Sequence, residues 1–282
     1  MKKVAATKSG VAAAAKKPTA KKAASVKTPA LAAKPAKRSA KPARLSVAPT
    51  PFTGFPKDFL AFFRELAKNN DRVWFEKNKD RYLASVVQPS LSFIAALDLP
   101  LGRFADCFEA KAKTQGGSMF RIYNDMRFGH DPKPYKENAA FQFRHQAGKD
   151  AHAPGFYVHI EPGEVFFGGG IWRPPSPQLR QIREAIEADP ERWTDITRAA
   201  AFRRRFGEVR GDSLKRPPQG FDADHPLIEE IKRVSFFAMQ KVAPEAIESK
   251  SFVHEVAKAF EAMSPFMEFL TDAEGLPFHL DD

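Results

Sequence analysis

An α+β domain, a mainly antiparallel sheet with helical layers from the N- and C-terminal parts of the chain, is predicted by three observations. Apolar residues recur at three- and four-residue spacing on both sides of the middle of the sequence, which is the period of a helix that buries one stripe. The middle instead alternates apolar and polar residues, which is the period of a strand. A Pro-Gly pair, Pro162-Gly163, separates two such strand-like runs.

The first fifty residues are a different polymer. They hold eleven Lys and two Arg with no Asp or Glu, so they carry +13, while the remaining 232 residues carry −2 of the formal net +11. Apart from Leu31 and Leu45, almost nothing there is larger than valine. Such a segment has no apolar surface to offset an ordering entropy of roughly 1–2 kcal/mol per residue, and a disordered tail is expected. The domain is then expected over residues 51–275. Its charge balance gives no reason to regard it as basic; the polycation is the tail alone. One cysteine, Cys107, excludes a disulfide framework and zinc sites built on paired thiolates. The longest apolar run near the start, Val11 to Ala15, is far short of a spanning helix, so no membrane is implied; the lone cysteine makes a cytoplasmic location the simplest expectation, with nucleoid association as an option.

The elements follow in order. Pro56 suits a first helical position, and Phe59, Phe62, Phe63 and Leu66 form the buried stripe of a first helix. Asn69-Asn70-Asp71 ends it and caps a second, along which Phe75, Tyr82 and Val86 share a face. A third follows Pro89, with Leu91, Ile94 and Leu97 inward. Gly116-Gly117 closes an irregular stretch, and short strands are expected from Phe120 to Tyr123 and around Phe141, Phe143 and His145. Pro162 and Gly163 fit the second and third positions of a type II turn, which predicts a hairpin over 156–168. Gly168-Gly169-Gly170 is expected to end it. A phosphate-cradling loop does not fit, because the next helix start, Ser176 capping Pro177, is too distant; close backbone packing or a bulge fits better. Leu179, Ile182 and Ile186 mark one helix, and Asp189-Pro190 opens another containing Trp193 and Ile196. Arg203-Arg204-Arg205 reads as a solvated helix end. Asp224-His225-Pro226 reads as a helix start, Ser235 to Ala238 as one more strand, and Ser249 to Met263 as a long helix extended by Pro265 to Leu270.

The densest chemistry lies between Met119 and Asn138. Arg121, Arg127, Lys133 and Lys136, joined by Arg216 from afar, could converge on a phosphate or carboxylate, with Tyr135 as a neutral donor and Asp125 and Asp131 orienting the arginines. The competing reading is an internal ion-pair network that pins an irregular loop to the sheet. His130 and His225 are the candidate acid–base groups; His225, between Asp224 and Pro226, also fits a helix cap. His145, His159 and Glu161 could form a two-histidine, one-carboxylate metal set, but their spacing carries no metal signature, and neither a metal nor a cofactor is expected. Cys107 reads as a buried, inert thiol.

Several motifs occur together: Phe52-Thr53-Gly54-Phe55, Trp74-Phe75 with Tyr82, Arg121 through Lys136, the glycine run before Trp172, and Lys215-Arg216-Pro217-Pro218-Gly220 with Asp224-His225-Pro226. As a set, over about residues 52–272, they resemble a widespread bacterial and fungal family of uncharacterised proteins, a domain of unknown function. The resemblance implies a domain boundary and leaves the chemistry open.

Nothing matches a nucleophile elbow, a Walker loop, a zinc-protease helix or a dinucleotide fingerprint. Two readings of function stand. One is a site for a small anionic ligand at residues 121–136. The other is a nucleic-acid-associated accessory protein whose residues 1–50 bind DNA or RNA non-specifically, through phosphate contacts weakened by salt.

Overall fold

A computed structural model describes residues 50–125, 133–148 and 153–280, all within the unit Val47–Asp282. The basic tail, and with it the polyanion reading, lies outside the described residues.

Four strands make one antiparallel sheet in the order β1-β2-β3-β4: Ala139–Arg144, Gly155–Glu161, Glu164–Ile171 and Phe236–Val242. The predicted hairpin is β2–β3. Glu161 pairs with Glu164 across Pro162-Gly163, and Gly163 takes the positive φ of 99° that the turn requires. The hairpin is longer than expected, because Gly168-Gly169-Gly170 lies inside β3 rather than ending it. Each of these glycines is crowded. A Cβ on Gly168 would meet the Ala238 carbonyl oxygen at 2.0 Å, one on Gly170 the Phe236 carbonyl oxygen at 2.1 Å, and one on Gly169 the sulfurs of Met263 and Met267 at 2.9 Å. Only glycine lets β3 come this close to β4 and to the helix beneath it.

Alternation puts Phe156, Val158, Ile160, Val165 and Phe167 on one face, all buried. That face packs on α9, Phe252–Ala273, where Phe156 stacks on Phe260 at 4.7 Å and Phe167 meets Phe252 edge-on at 5.9 Å. Pro265 sits inside α9 without ending it, so the two expected helical pieces are one.

The N-terminal layer forms much as its periodicity predicts. Helix α1, Lys57–Lys68, buries Phe59, Phe62, Phe63 and Leu66; Pro56 stands one position earlier than expected, at the N-cap. Asp71 caps α2, Arg72–Lys77, by accepting from the Val73 and Trp74 amides. The short α3, Lys79–Tyr82, runs through a π-helical turn, Leu83–Val87, into α4, Gln88–Leu101. The 23 residues from Lys79 to Leu101 are long and apolar enough for a membrane span by composition. Their Val86, Leu91, Phe93, Ile94 and Leu97 are buried in the core, with Phe93 against Phe55, Phe141 and Phe252.

After β3 come α5, Ser176–Ala188, α6, Pro190–Arg198, and α7, Ala200–Phe206. Ser176 is the first helical residue of α5 and makes no cap; Pro175 precedes it in extended conformation. Asp189 does cap α6, through the Arg192 amide. The four-residue α8, Ile228–Ile231, begins two positions later than Pro226. The stretch from Phe120 to Tyr123 is not a strand. It makes single bridges, Met119 to Phe141 and Tyr123 to Tyr135, because the chain leaves the edge of β1 to pair with residues 134–136.

Glu274 closes α9. One of its carboxyl oxygens is buried without a hydrogen-bond partner among the described residues, and burial pushes its pKa up to about 7 from 4.5. The folded state therefore holds this proton more tightly than the unfolded state does. Its contribution to stability is lost as pH rises from 4.5 through about 7. Glu274→Gln is expected to raise the melting temperature at pH 8 and to flatten its fall between pH 5 and pH 8. A variant less stable than wild type at pH 8 would contradict this.

Candidate ligand-binding site on the second face of the sheet

The face turned away from α9 carries Gln142 from β1, Gly155, Tyr157, His159 and Glu161 from β2, Phe166, Gly168 and Gly170 from β3, and Phe237 and Met239 from β4. Register sets its shape. Gly155 pairs with Gly170 and Tyr157 with Gly168, so the centre of the face has almost no side chains above it. The result is a cavity of about 360 Å³ over a glycine floor, walled by Phe120, Tyr157, Phe166, Trp172, Phe237 and Met239. That volume is in the range that takes a small molecule.

Each end of this trough has an aromatic ring under a cation. At the end beside β1, Lys136 places its ammonium 5.6 Å from the centre of the Phe120 ring, and the Phe120 amide is held by the Ala140 carbonyl. At the other end Trp172, about half exposed, tilts against Phe237 at 5.4 Å with the Arg173 guanidinium 5.7 Å from its ring. Arg173 has a positive φ of 43°, held by its amide's bond to the Ser235 hydroxyl and by an ion pair with Asp212 at 2.7 Å. Strain of that kind collects at ligand clamps.

A polar line runs up β2. The Tyr157 hydroxyl is 3.3 Å from Nδ1 of His159, and Nε2 of His159 is 3.2 Å from the Glu161 carboxylate. The imidazole stacks on Phe166 at 4.7 Å with the planes 5° apart. Burial pushes the Tyr157 phenol up to about 12, with the Glu161 charge adding to it.

Of the cations grouped in the sequence, Lys136 lies beside the backbone of Arg121. The Lys136 ammonium donates to the Arg121 carbonyl at 3.3 Å, and its pKa is lowered, first by burial and then by the Arg121 charge. It has no carboxylate partner among the described residues. Arg121 is exposed, with Asp125 at 3.9 Å, an arrangement worth about 0–1 kcal/mol. Lys133 is paired with Glu137 at 2.8 Å.

Tyr135 is drawn into the core rather than offered to a ligand. It is buried, stacked on Phe75 at 4.1 Å, and its phenol is raised by burial. Arg127, His130 and Asp131 lie outside the described residues. The chain before Arg216 is anchored on the β4 side, with Arg210 bridged to Phe237 of β4, Ser213 bridged to Arg233 and the Leu214 amide on the Lys232 carbonyl. β1 and β4 are opposite edges of the sheet, roughly 14 Å apart at ordinary strand spacing. His225 closes the turn before α8, its Nδ1 accepting from the Leu227 amide. The metal set does not assemble. His145 is buried, with its two ring nitrogens engaged by the Pro277 carbonyl and the Ala147 amide, and no cluster of three His, Cys, Asp or Glu occurs among the described residues. Cys107 is buried.

Tyr157, Phe166, Trp172 and Phe237 are the residues that sequence reasoning missed. The signal was present: a glycine run within a strand removes side chains from one face, and that face is where His159 and Glu161 project.

Asn70 holds the 135–137 segment in place. Its amide donates to the Tyr135 carbonyl and to the Glu137 carboxylate, each at 2.9 Å, and its oxygen accepts from the Tyr135 amide at 3.1 Å. Asn70→Ala is expected to cost about 1–3 kcal/mol by leaving these groups unpaired. An unchanged urea midpoint would show that the segment is held otherwise.

A search of curated proteins finds no match to the chain. Residues 58–269 match the family of conserved hypothetical proteins DUF2461, which covers both helical layers and the whole sheet, and the chain belongs to that family.

Proposed function

We propose that the domain binds a small amphipathic anion, whose flat apolar body lies in the glycine-floored trough and whose carboxylate or phosphate meets Lys136 with Arg121. The observation that carries this reading is the trough itself: a cavity of about 360 Å³ walled mainly by aromatic rings, with Ile171, Met239 and one amide, Gln142. Burying apolar surface there is worth about 25 cal/mol per Å².

The head group follows from charge. Lys136 is half-buried, faces another cation and lacks a carboxylate partner among the described residues, so it is held at a cost that a bound anion would offset. Its ammonium sits over Phe120, which is itself a wall of the trough, so the two halves of the site are continuous. Lys133, already paired with Glu137, is less well placed to contribute. The arrangement positions a ligand; none of its features by itself specifies a reaction.

The test uses 8-anilinonaphthalene-1-sulfonate and its uncharged relative N-phenyl-1-naphthylamine as fluorescent probes on the full-length chain. Both are expected to bind. Trp172→Ala should weaken both, and Lys136→Ala should weaken the sulfonate by about tenfold more than the neutral probe, the scale of one charge-assisted hydrogen bond. Absence of binding, or affinities that Trp172→Ala leaves unchanged, would overturn the trough. Equal losses for the two probes in Lys136→Ala would overturn the head-group assignment.

A further inference from the structure

We infer that the trough wall holds a subsite for a hydroxyl group on the ligand, with the Tyr157 oxygen as its acceptor; this rests on the ligand-binding reading above. The inference comes from where the proton of Tyr157 goes. Glu161 lies 3.2 Å from Nε2 of His159, so the ring proton sits on Nε2, facing the carboxylate, and Nδ1 is left as an acceptor.

Two donors approach Nδ1. The Asn138 amide nitrogen is 3.1 Å from Nδ1 and also 3.4 Å from Nε2. It is closer to both nitrogens than an in-plane approach to either allows. The amide therefore lies over one face of the imidazole, with Phe166 stacked on the other. The in-plane lone pair of Nδ1 is left to the Tyr157 hydroxyl, at 3.3 Å. Burial keeps Tyr157 a neutral phenol at physiological pH, so it has one proton to give, and His159 takes it. The tyrosine ring lines the trough, and its oxygen meets a ligand with lone pairs only. It accepts a hydrogen bond and rejects a group that can only accept.

The anion end and the Tyr157 subsite adjoin the same aromatic wall, so a single fused ring system is the simplest body to reach both. Phe120 neighbours both polar points, with the Lys136 ammonium 5.6 Å and the Tyr157 ring centre 6.3 Å from its own ring centre. The ligand class is thus a hydroxylated aromatic or polycyclic acid. Tyr157 is a specificity residue that touches the ligand. His159 and Glu161 are positioning residues that act through it.

Three probes separate these roles: 2-naphthoate, 6-hydroxy-2-naphthoate and 6-methoxy-2-naphthoate, titrated into the full-length protein by calorimetry. Wild type is expected to bind the hydroxy acid about fivefold more tightly than the parent acid and to disfavour the methoxy acid. Tyr157→Phe should bring the hydroxy-to-parent ratio to about one. His159→Phe keeps the ring stack but frees the tyrosine proton, and should improve the methoxy acid relative to the hydroxy acid. That reversal is one that loss of stability alone cannot produce. If the hydroxy preference is absent in wild type or survives in Tyr157→Phe, the subsite is overturned while ligand binding stands. If none of the three acids binds, the ligand-binding reading fails, and the subsite with it.

Discussion

The site depends on the close approach of two backbones. Where β3 passes β4, the carbonyl oxygens of Ala238 and Phe236 stand where a Cβ on residue 168 or 170 would be. That contact admits only glycine, and glycine has a second consequence on the far side of the sheet. A face that would otherwise carry alternating side chains is bare in its centre, and the rings around it become walls. The feature that stabilises the pairing thereby also creates the cavity. Any substitution that fills the cavity at these positions must first push two strands apart.

The remaining parts of the domain keep that sheet rigid and its other face covered. Phe93, Phe141 and Phe252 join the N-terminal helices, β1 and α9 in one aromatic cluster, and Trp193 ties α6 to β4 and α9 through Phe236, Phe266 and Phe269. With the α9 face consumed by packing, the proposed recognition chemistry is placed on the second face and its two ends. At one end Asn70 holds the 135–137 segment, and so the strand-edge loop that presents Lys136. At the other, the strained Arg173 turns the chain so that Trp172 stays half exposed.

Much of the fold was legible in the sequence because its elements obey local rules. Phe59 through Leu66, the Asp71 cap, the Pro162-Gly163 turn and the run from Phe252 to Met263 each announce themselves by period or by turn chemistry. The glycine triplet was legible only in part. Its residues say that something approaches closely, but not that the partner is β4, a strand almost seventy residues later in the chain. The charged stretch from 121 to 136 was also legible only in part, and its residues 126–132 lie outside the described residues. Sequence proximity grouped Lys133, Tyr135 and Lys136, whereas folding sends Tyr135 to the core, pairs Lys133 with Glu137 and leaves Lys136 beside Phe120. Arg216 was grouped by charge alone, and Arg210 in the chain before it is bridged to β4, the edge opposite β1. The aromatic walls could not be grouped from sequence, since Phe120, Tyr157, Trp172 and Phe237 come from four separate segments and look like ordinary core residues one at a time.

The most direct measurement of whether the bare centre of the sheet is a binding site is an amide and side-chain chemical-shift map of the full-length protein titrated with 2-naphthoate. Shifts are expected to concentrate at Gly155, Tyr157, Gly168, Gly170, Trp172 and Met239, with Lys136 responding at the charged end. Shifts confined to the α9 side or to the Arg216 segment, or a spectrum unchanged by the acid, would contradict the account.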